Sequence, residues 1–418
     1  MGRVRTPAAK HQLLPSPVAT DGALDHQSLT LALIQALIPL GLRAVEEALQ
    51  HEVAQLAGAR YARDGGEPGL SRWGTQRGSV YVADQKVPVT VPRVRNVHAG
   101  VEVPLSTYAQ LQTPRAQDAG LFARVLGGLS SREYHAAAEA IPEAFGLAKS
   151  SVSRRFVHAS ARALQQLQER RLDDHQWLVL LLDGKTFASD QLVIALGVTT
   201  TGEKRVLGLV QTATENKAVC ATLLRDLEAR GFTAPDGLLV VLDGAKGLRA
   251  AVRDVYGADV AVQRCQWHKR ENIVRYLSKT LQILWRRKLQ AAYAHPAYAD
   301  AKRALQRLHK ELTILNVSAA NSLEEGLDET LTLHRLGVVD ALGVSFKTTN
   351  LIENVMSQLE RKTQRVARWR TSDQKLRWCA AALLQIEPRF RRIKGCAQLP
   401  LLQSALRDKL HLATPAAA

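Results

Sequence analysis

The chain reads as an α/β protein: a mixed five-stranded sheet, interrupted by an all-helical insertion and preceded by a mainly helical N-terminal region. Two apolar runs, Leu180-Leu181-Leu182 and Val240-Val241-Leu242, are continuous enough for strands buried on both faces, and each runs into Asp-Gly, at Asp183-Gly184 and Asp243-Gly244. Between them the pattern is strand, strand, helix. Beyond them, from about Glu271 to Leu342, it is almost wholly helical and rich in Leu, Lys and Arg.

Each element of the sheet has its own signal. Leu192 to Thr199 and Arg205 to Thr212 are β-rich runs separated by a turn at Thr201-Gly202, two strands following the first in a meander. Lys217 to Arg230 places Val219, Leu223, Leu224 and Leu227 at helical spacing and is closed by Gly231. A helix from Gly247 to Tyr256 and a short apolar segment, Val260 to Cys265, complete the five strands. A carboxylate just past the end of a buried strand stands where α/β sheets bind ligands, so Asp183 and Asp243 are candidates for one site and predict a third acid. The competing reading is a plain turn, because Asp-Gly is also the strongest short hairpin signal.

The N-terminal region comes in pieces. Residues up to about Asp25, with Pro7, Pro15 and Pro17, suit a flexible tail. From Ser28 an apolar helix is expected to Leu37, interrupted at Pro39, after which Leu42, Val45, Leu49, Val53 and Leu56 form a second helical stripe. Asp64 to Gly78 reads as a loop. Val80-Tyr81-Val82 and Val87 to Val91 form a small hairpin leaving through Pro92-Arg93-Val94-Arg95, with Pro88 marking an edge strand. Next come helices spaced as in a helix-turn-helix: Leu121 to Leu126, then Ser130 to Phe145 with Glu133 at the capping-box position, a turn at Gly146, and a third helix from Ser150 or Ser151. Its first turn carries Ser153, Arg154 and Arg155 beside Lys149, where a recognition helix presents side chains to DNA; a plain helical linker fits the same pattern.

Composition narrows the partner. In 418 residues, 56 Lys+Arg stand against 39 Asp+Glu, a formal net charge of +17 that favours a polyanion. A merely basic soluble or ribosome-associated protein is the alternative. The length leaves room for two to four domains, and 46% hydrophobic residues is ample for their cores. Cys220, Cys265, Cys379 and Cys396 lack disulfide or paired zinc spacing, which fits a reducing cytoplasm. No apolar run approaches the roughly 18 residues of a membrane span, so no membrane role is expected. The start, with Arg3, Arg5, Pro7 and Lys10, lacks a signal-peptide core. Met1-Gly2 through Thr6 matches the myristoylation pattern, which is too short and common to count.

Downstream, Cys265 and His268 in Arg264-Cys265-Gln266-Trp267-His268 have no second pair nearby; zinc needs two more ligands, so a local structural or DNA-facing role is expected. A helix start follows at Ser345 to Val355. Its Glu353 lies among Leu351, Ile352 and Val355, beside a packed face, whereas Glu360 already belongs to a charged run and suits a solvated face. Glu353 is therefore the better third acid. From Arg361 to Lys394, eleven Lys or Arg stand against two acids, interleaved with Trp369, Trp378 and Phe390, which suits either a nucleic-acid groove or a solvated face.

Taken together, LLLDGK, VVLDGAKGL, RCQWHKRENI and SFKTTNLIENVMSQLERKTQRVARWR resemble the Mutator-type bacterial transposases of the insertion sequence 256 family, and the PRVR hairpin exit and KSSVSRRF are similar to that family's N-terminal region. The resemblance implies a ribonuclease-H-like core with an Asp, Asp, Glu triad at Asp183, Asp243 and Glu353, the helical insertion lying between the second Asp and the Glu. It also implies a Cys-x-x-His element of unassigned role at Cys265 and His268, and two Mg²⁺ or Mn²⁺ ions per site, because hard divalent ions take oxygen ligands and a metal pair clamps both oxygens of an in-line phosphoryl displacement. Asp183 would bridge the ions, Asp243 hold one and Glu353 the other.

The implied partners are double-stranded DNA, as element inverted repeats and target, and a second copy of the chain. The implied DNA contacts are Lys149, Ser153, Arg154, Arg155, Lys347, Arg361, Lys362, Arg365, Arg368 and Arg370. The expected place is the bacterial cytoplasm, at the nucleoid through DNA. Many relatives carry an Arg soon after the Glu, where this chain has Asn354-Val355-Met356. The expected organisation is a tail to 25, N-terminal helices and hairpin over 26–115, a helix-turn-helix-like segment over 116–172, the first part of the core over 173–270, the insertion over 271–344, the Glu-bearing and basic helices over 345–395, and a C-terminal tail over 396–418. Two other classes share these features: a transposase-derived DNA-binding protein without catalysis, and a ribonuclease-H-like nuclease or resolvase.

Overall fold

The computed structural model describes residues 26–62, 66–82, 85–112, 115–129, 131, 148–187, 190–212, 216–364, 366 and 368–413. They fall into two compact units, residues up to 112 forming one and residues from 115 onward the other. The expected N-terminal tail and, Ser131 apart, the expected helix from Ser130 to Phe145 lie outside the described residues.

In the first unit α1 (His26–Ala57) is one continuous helix, so Pro39 does not interrupt it as expected. An interior proline costs about 3 kcal/mol by removing a backbone donor. The following turns are anchored by Leu49 and Val53, fully buried in a core with Val80, Val89, Val91, Val94 and Leu105. The hairpin is longer than expected: β1 (Leu70–Val82) and β2 (Gln85–Asn96) are antiparallel, and β3 (Val101–Val103) adds to the end of β2. Leu70 to Gly78, read as loop, is therefore strand; five of its residues in a row, Trp73 to Arg77, are exposed, so no apolar alternation marks it. β2 is the middle strand, yet β3 pairs only with Val94 to Asn96, and at Pro88 the strand has β1 alone beside it. A proline is tolerated there for the reason an edge tolerates one. The short α2 (Ser106–Leu111) begins on Glu52, whose carboxylate accepts from the backbone N–H of Ser106 at 2.6 Å and of Thr107 at 3.0 Å.

The second unit opens with α3 (Arg115–Leu126) and α4 (Lys149–Glu169) and then builds the sheet from β4 (Trp177–Phe187), β5 (Asp190–Thr199), β6 (Lys204–Thr212), β7 (Leu239–Leu242) and β8 (Ala261–Arg264). Helices α5 (Lys217–Ala229) and α6 (Lys246–Tyr256) connect the later strands. The order across the sheet is β6-β5-β4-β7-β8; β4, β5 and β6 are antiparallel, while β7 and β8 run parallel to β4. The mixed sheet is as expected.

Strand periodicity divides the interior into two cores. Leu180, Leu182, Val240 and Leu242 point to one face, covered by α5 and α6 through Leu223, Leu224, Leu227, Leu248 and Val252. Val179, Leu181, Leu239 and Val241 point to the other, covered by α3, α4 and three later helices, α14 (Asn350–Thr363), α15 (Ser372–Ile386) and α16 (Leu399–Ala413). The expected insertion is a run of helices: α7 (Gln266–Val274), α8 (Lys279–Tyr293), α9 (Tyr298–Leu315), α10 (Val317–Glu324), α11 (Leu327–Thr330), α12 (Thr332–Arg335) and α13 (Val339–Phe346). Up to Leu331 these share a core of their own around Trp285, Leu289, Leu305 and Leu312, whereas Leu333, Leu342 and Phe346 belong to the sheet's core. Among the described residues no helix is long and apolar enough to cross a membrane.

Candidate active site

Three acids remote in sequence meet at one end of the sheet. β4 and β7 are parallel and in register up to Leu182 opposite Leu242, so Asp183 and Asp243 are the next residues on neighbouring strands. By the same alternation both follow Val179-Leu181 and Leu239-Val241 towards the face covered by α14. The first turn of α14 carries Glu353, next to the buried Ile352 and one turn before the buried Met356. Asp183 is only 7% exposed. Burial first, and then the negative charges of Asp243 and Glu353, push its carboxyl up to about 7, while His268 opposes the shift.

One detail of the expectation is corrected. Asp183 does not follow the end of its strand: β4 continues to Phe187, with Asp183 paired to Ile194 and Gly184 to Val193. The antiparallel neighbour β5 sustains the ladder where the parallel neighbour β7 has stopped. Asp243 does lie just past its strand, and its Oδ1 accepts from the backbone N–H of Ala245 at 2.9 Å. Gly244 has φ +104°, and a Cβ there would stand 2.0 Å from Nε of Arg264, so glycine is required. Neither Asp-Gly joins a hairpin.

The Cys-x-x-His element, expected to have a local structural or DNA-facing role, lies in the same place. Cys265 follows β8, bonded through its N–H to the carbonyl of Leu242 at 2.8 Å, and its Sγ caps α7 by accepting from the backbone N–H of His268 at 3.5 Å. Donor atoms of Cys265, His268 and Glu353 all lie within 4.8 Å of one another. The hydrogen bond with Cys265 raises the His268 imidazole to about 9 against the cost of burial, helped by the charges of Glu353 and Asp243. Thr349, which the sequence reading passed over, stands among them: its hydroxyl is 2.5 Å from Oε1 of Glu353, 3.3 Å from Nδ1 of His268 and 3.4 Å from Sγ of Cys265. The available signal was Thr348-Thr349 immediately before a helix.

Glu360, the rejected acid, is exposed and pairs with Lys185 at 2.6 Å. The expected DNA contacts are mostly at the surface. Lys149, Ser153 and Arg154 are exposed and Arg155 half-buried in the first turns of α4, whose opposite face buries Val152, Phe156 and Leu167. Lys347, Arg361, Arg368 and Arg370 are exposed, Lys362 is half-buried, and Arg365 lies outside the described residues. The aromatics between them turn inward: the Trp378 ring lies 4.5 Å from that of Phe156 and 6.1 Å from that of Trp369, itself 5.0 Å from Phe187. Lys375 is buried and pairs with Asp190 at 2.6 Å. That part of the basic run is structural.

Hard oxygen donors at Asp183, Asp243 and Glu353 are the set a divalent Mg²⁺ or Mn²⁺ takes. The chain is similar to known transposases. The transposase for insertion sequence element IST2 of Acidithiobacillus ferrooxidans is 31% identical over 175 residues, 42% of this chain and 57% of that protein. The transposase for IS6120 of Mycolicibacterium smegmatis is 27% identical over 246 residues, 57% of this chain and 74% of that one. The transposase for IS256 in transposon Tn4001 of Staphylococcus aureus is 26% identical over 286 residues, 65% of this chain and 70% of that one. The chain thus spans from just over half to about three-quarters of the length of these relatives. The model of the family described as "Transposase, Mutator family" matches residues 31–391, a span that holds all three acids and the Cys-x-x-His element. The chain belongs to the Mutator family of transposases.

Proposed function

We propose that this protein is a DNA transposase that nicks and joins the inverted-repeat ends of its own mobile element by metal-dependent phosphodiester transfer, working in the cytoplasm as an oligomer of at least two copies. The observation that carries the reading is the convergence of Asp183, Asp243 and Glu353 at one sheet end, where burial first, and then the charges of Asp243 and Glu353, push the Asp183 carboxyl up to about 7. Carboxylates gathered in a buried place favour a cation among them, and oxygen donors are what a hard divalent ion takes, so the residues fit Mg²⁺ or Mn²⁺. When bound, two Mg²⁺ or Mn²⁺ ions would neutralise charge on the phosphate and activate the attacking water or DNA 3′-hydroxyl. Asp183, fixed by the ladder on β5, would hold the shared position. Asp243 and Glu353, on a loop and a helix start, would each hold one side. No protein nucleophile is needed.

The strand order and directions support a ribonuclease-H-like reading of the sheet. Exposed Lys149, Ser153, Arg154, Lys347, Arg361, Arg368 and Arg370 are the side chains we assign to DNA phosphates and end recognition, together with Arg155, Lys362 and Arg365. The test is a strand-transfer assay with labelled element ends and purified protein. Asp183→Ala is expected to abolish cutting and joining while leaving end binding nearly intact; joining at the wild-type rate would overturn the assignment. Cutting without joining, blind to terminal repeats, would instead indicate a nuclease or resolvase.

A further inference from the structure

We infer that Thr349 is a positioning residue that presents Glu353 to a divalent ion and couples the Cys265-x-x-His268 element to it. The inference rests on the reading of Glu353 as a metal-holding acid. Thr349 is fully buried, immediately before α14. A hydroxyl has one proton and two lone pairs, and three partners surround this one. An ionised carboxylate can only accept, and an O–H bond to a charged oxygen is the shortest and strongest of the choices. At 2.5 Å, Oε1 of Glu353 therefore takes the proton. Of the two lone pairs, one faces Nδ1 of His268 at 3.3 Å and accepts N–H from it, with the Cys265 thiol at 3.4 Å beside the other. The chain of donors runs from His268 Nδ1 through Thr349 Oγ1 to Glu353.

Backbone bonds fix both ends of this chain. The N–H of Glu353 donates to the carbonyl of Thr349 at 3.0 Å, the i to i−4 bond of the same helical turn. The N–H of Gln266, at the start of the helix carrying His268, donates to the carbonyl of Lys347 at 2.9 Å. The two helices thus start against each other, which keeps the backbones that carry His268 and Thr349 together. With one lone pair of Oε1 taken by Thr349, the carboxylate is held in one orientation and Oε2 of Glu353 is the freer oxygen for an ion. The same arrangement disfavours a zinc cage of Cys265, His268 and Glu353, because the hydroxyl already stands among donors that zinc would need at about 2.0 to 2.3 Å.

The experiment uses the full chain with Mn²⁺ as probe, followed by electron paramagnetic resonance titration, and ¹⁵N NMR of His268. Thr349→Val keeps the shape and removes the hydroxyl; Thr349→Ser keeps the hydroxyl. We expect Thr349→Val to weaken Mn²⁺ binding about tenfold or more, the range for losing a group that orients a ligand, and to shift the His268 Nδ1 resonance. Thr349→Ser is expected to stay within about threefold of wild type by the same reasoning, with an unchanged His268 signal. Wild-type Mn²⁺ affinity in Thr349→Val, or equal losses in the two variants, would overturn the inference. So would Glu353→Gln binding Mn²⁺ as wild type does, since the underlying reading would fail. Thr349-dependent Mn²⁺ binding by a protein that does not cut element ends would sink the transposase reading and leave the role of Thr349 standing.

Discussion

The dipeptide Asp-Gly occurs at two places in the sheet and folds in two ways. At Asp183-Gly184 it continues a strand, both residues laddered to β5. At Asp243-Gly244 the strand has ended, and the glycine takes φ +104° beneath the Arg264 side chain. The local backbones share nothing, yet the parallel register of β4 and β7 brings the two carboxylates to the same level of the sheet. What places an acid in this site is its row in the sheet, whatever turn or strand surrounds it. The difference shows instead in burial: Asp183 is almost enclosed, and Asp243 is half-exposed.

Four experiments test this contrast. The largest effect is expected where the two acids act alike: Asp183→Ala and Asp243→Ala should each lower metal-dependent strand cleavage by at least about a thousandfold, roughly 4 kcal/mol of transition-state stabilisation. A loss at only one of them would show that level in the sheet is not enough. The second separates them by pH. In the metal-free fold the Asp183 carboxyl lies near 7, above its ordinary 3.8, so between these values the folded chain binds the proton that the unfolded chain has released. Stability should therefore fall as pH rises from about 4 to about 7, by up to about 4 kcal/mol, and Asp183→Asn should flatten that part of a denaturant-melt profile. Mn²⁺ competes with the same proton, so its affinity should rise over this range and level off above about 7.

The glycines come next. Gly244→Ala forces a side chain into a left-handed backbone against Arg264 and should cost about 2 to 3 kcal/mol in thermal or denaturant unfolding, whereas Gly184→Ala, in ordinary strand conformation, should cost under about 1 kcal/mol. Equal costs would mean that the two backbones are more alike than described. The smallest effect is expected at the acid set aside. Glu360→Gln breaks only an exposed pair with Lys185 and should change stability by less than about 1 kcal/mol and leave cleavage near wild type, in contrast to Glu353→Gln.

Much of this core was legible because burial on both faces leaves an unambiguous mark: Leu180-Leu181-Leu182 and Val240-Val241-Leu242 had few other structures open to them. Glu353 was separable from Glu360 for a similar reason, its apolar neighbours. Register leaves no such mark, and so the continuation of β4 through Asp183 was missed. Nor did the exposed part of β1 show, because a strand without a buried face lacks alternation. Cys265 and His268 looked one ligand pair short, since the groups that complete their surroundings, Thr349 and Glu353, lie more than 80 positions away. Tertiary closure alone joins them. Pro39 misled in the other direction: a local rule against proline yielded to a long helix anchored further on.

The hydrogen bond between Gln266 and Lys347 has a wider consequence. The chain leaves the sheet and comes back to it at nearly the same spot; of the helices between, those up to Leu331 build a core of their own and form a lobe, while Leu333, Leu342 and Phe346 already belong to the sheet's core. A lobe with its own core can change the length of its outer connections at little cost to the carboxylates, because closing a longer loop adds only about 0.6 kcal/mol per doubling.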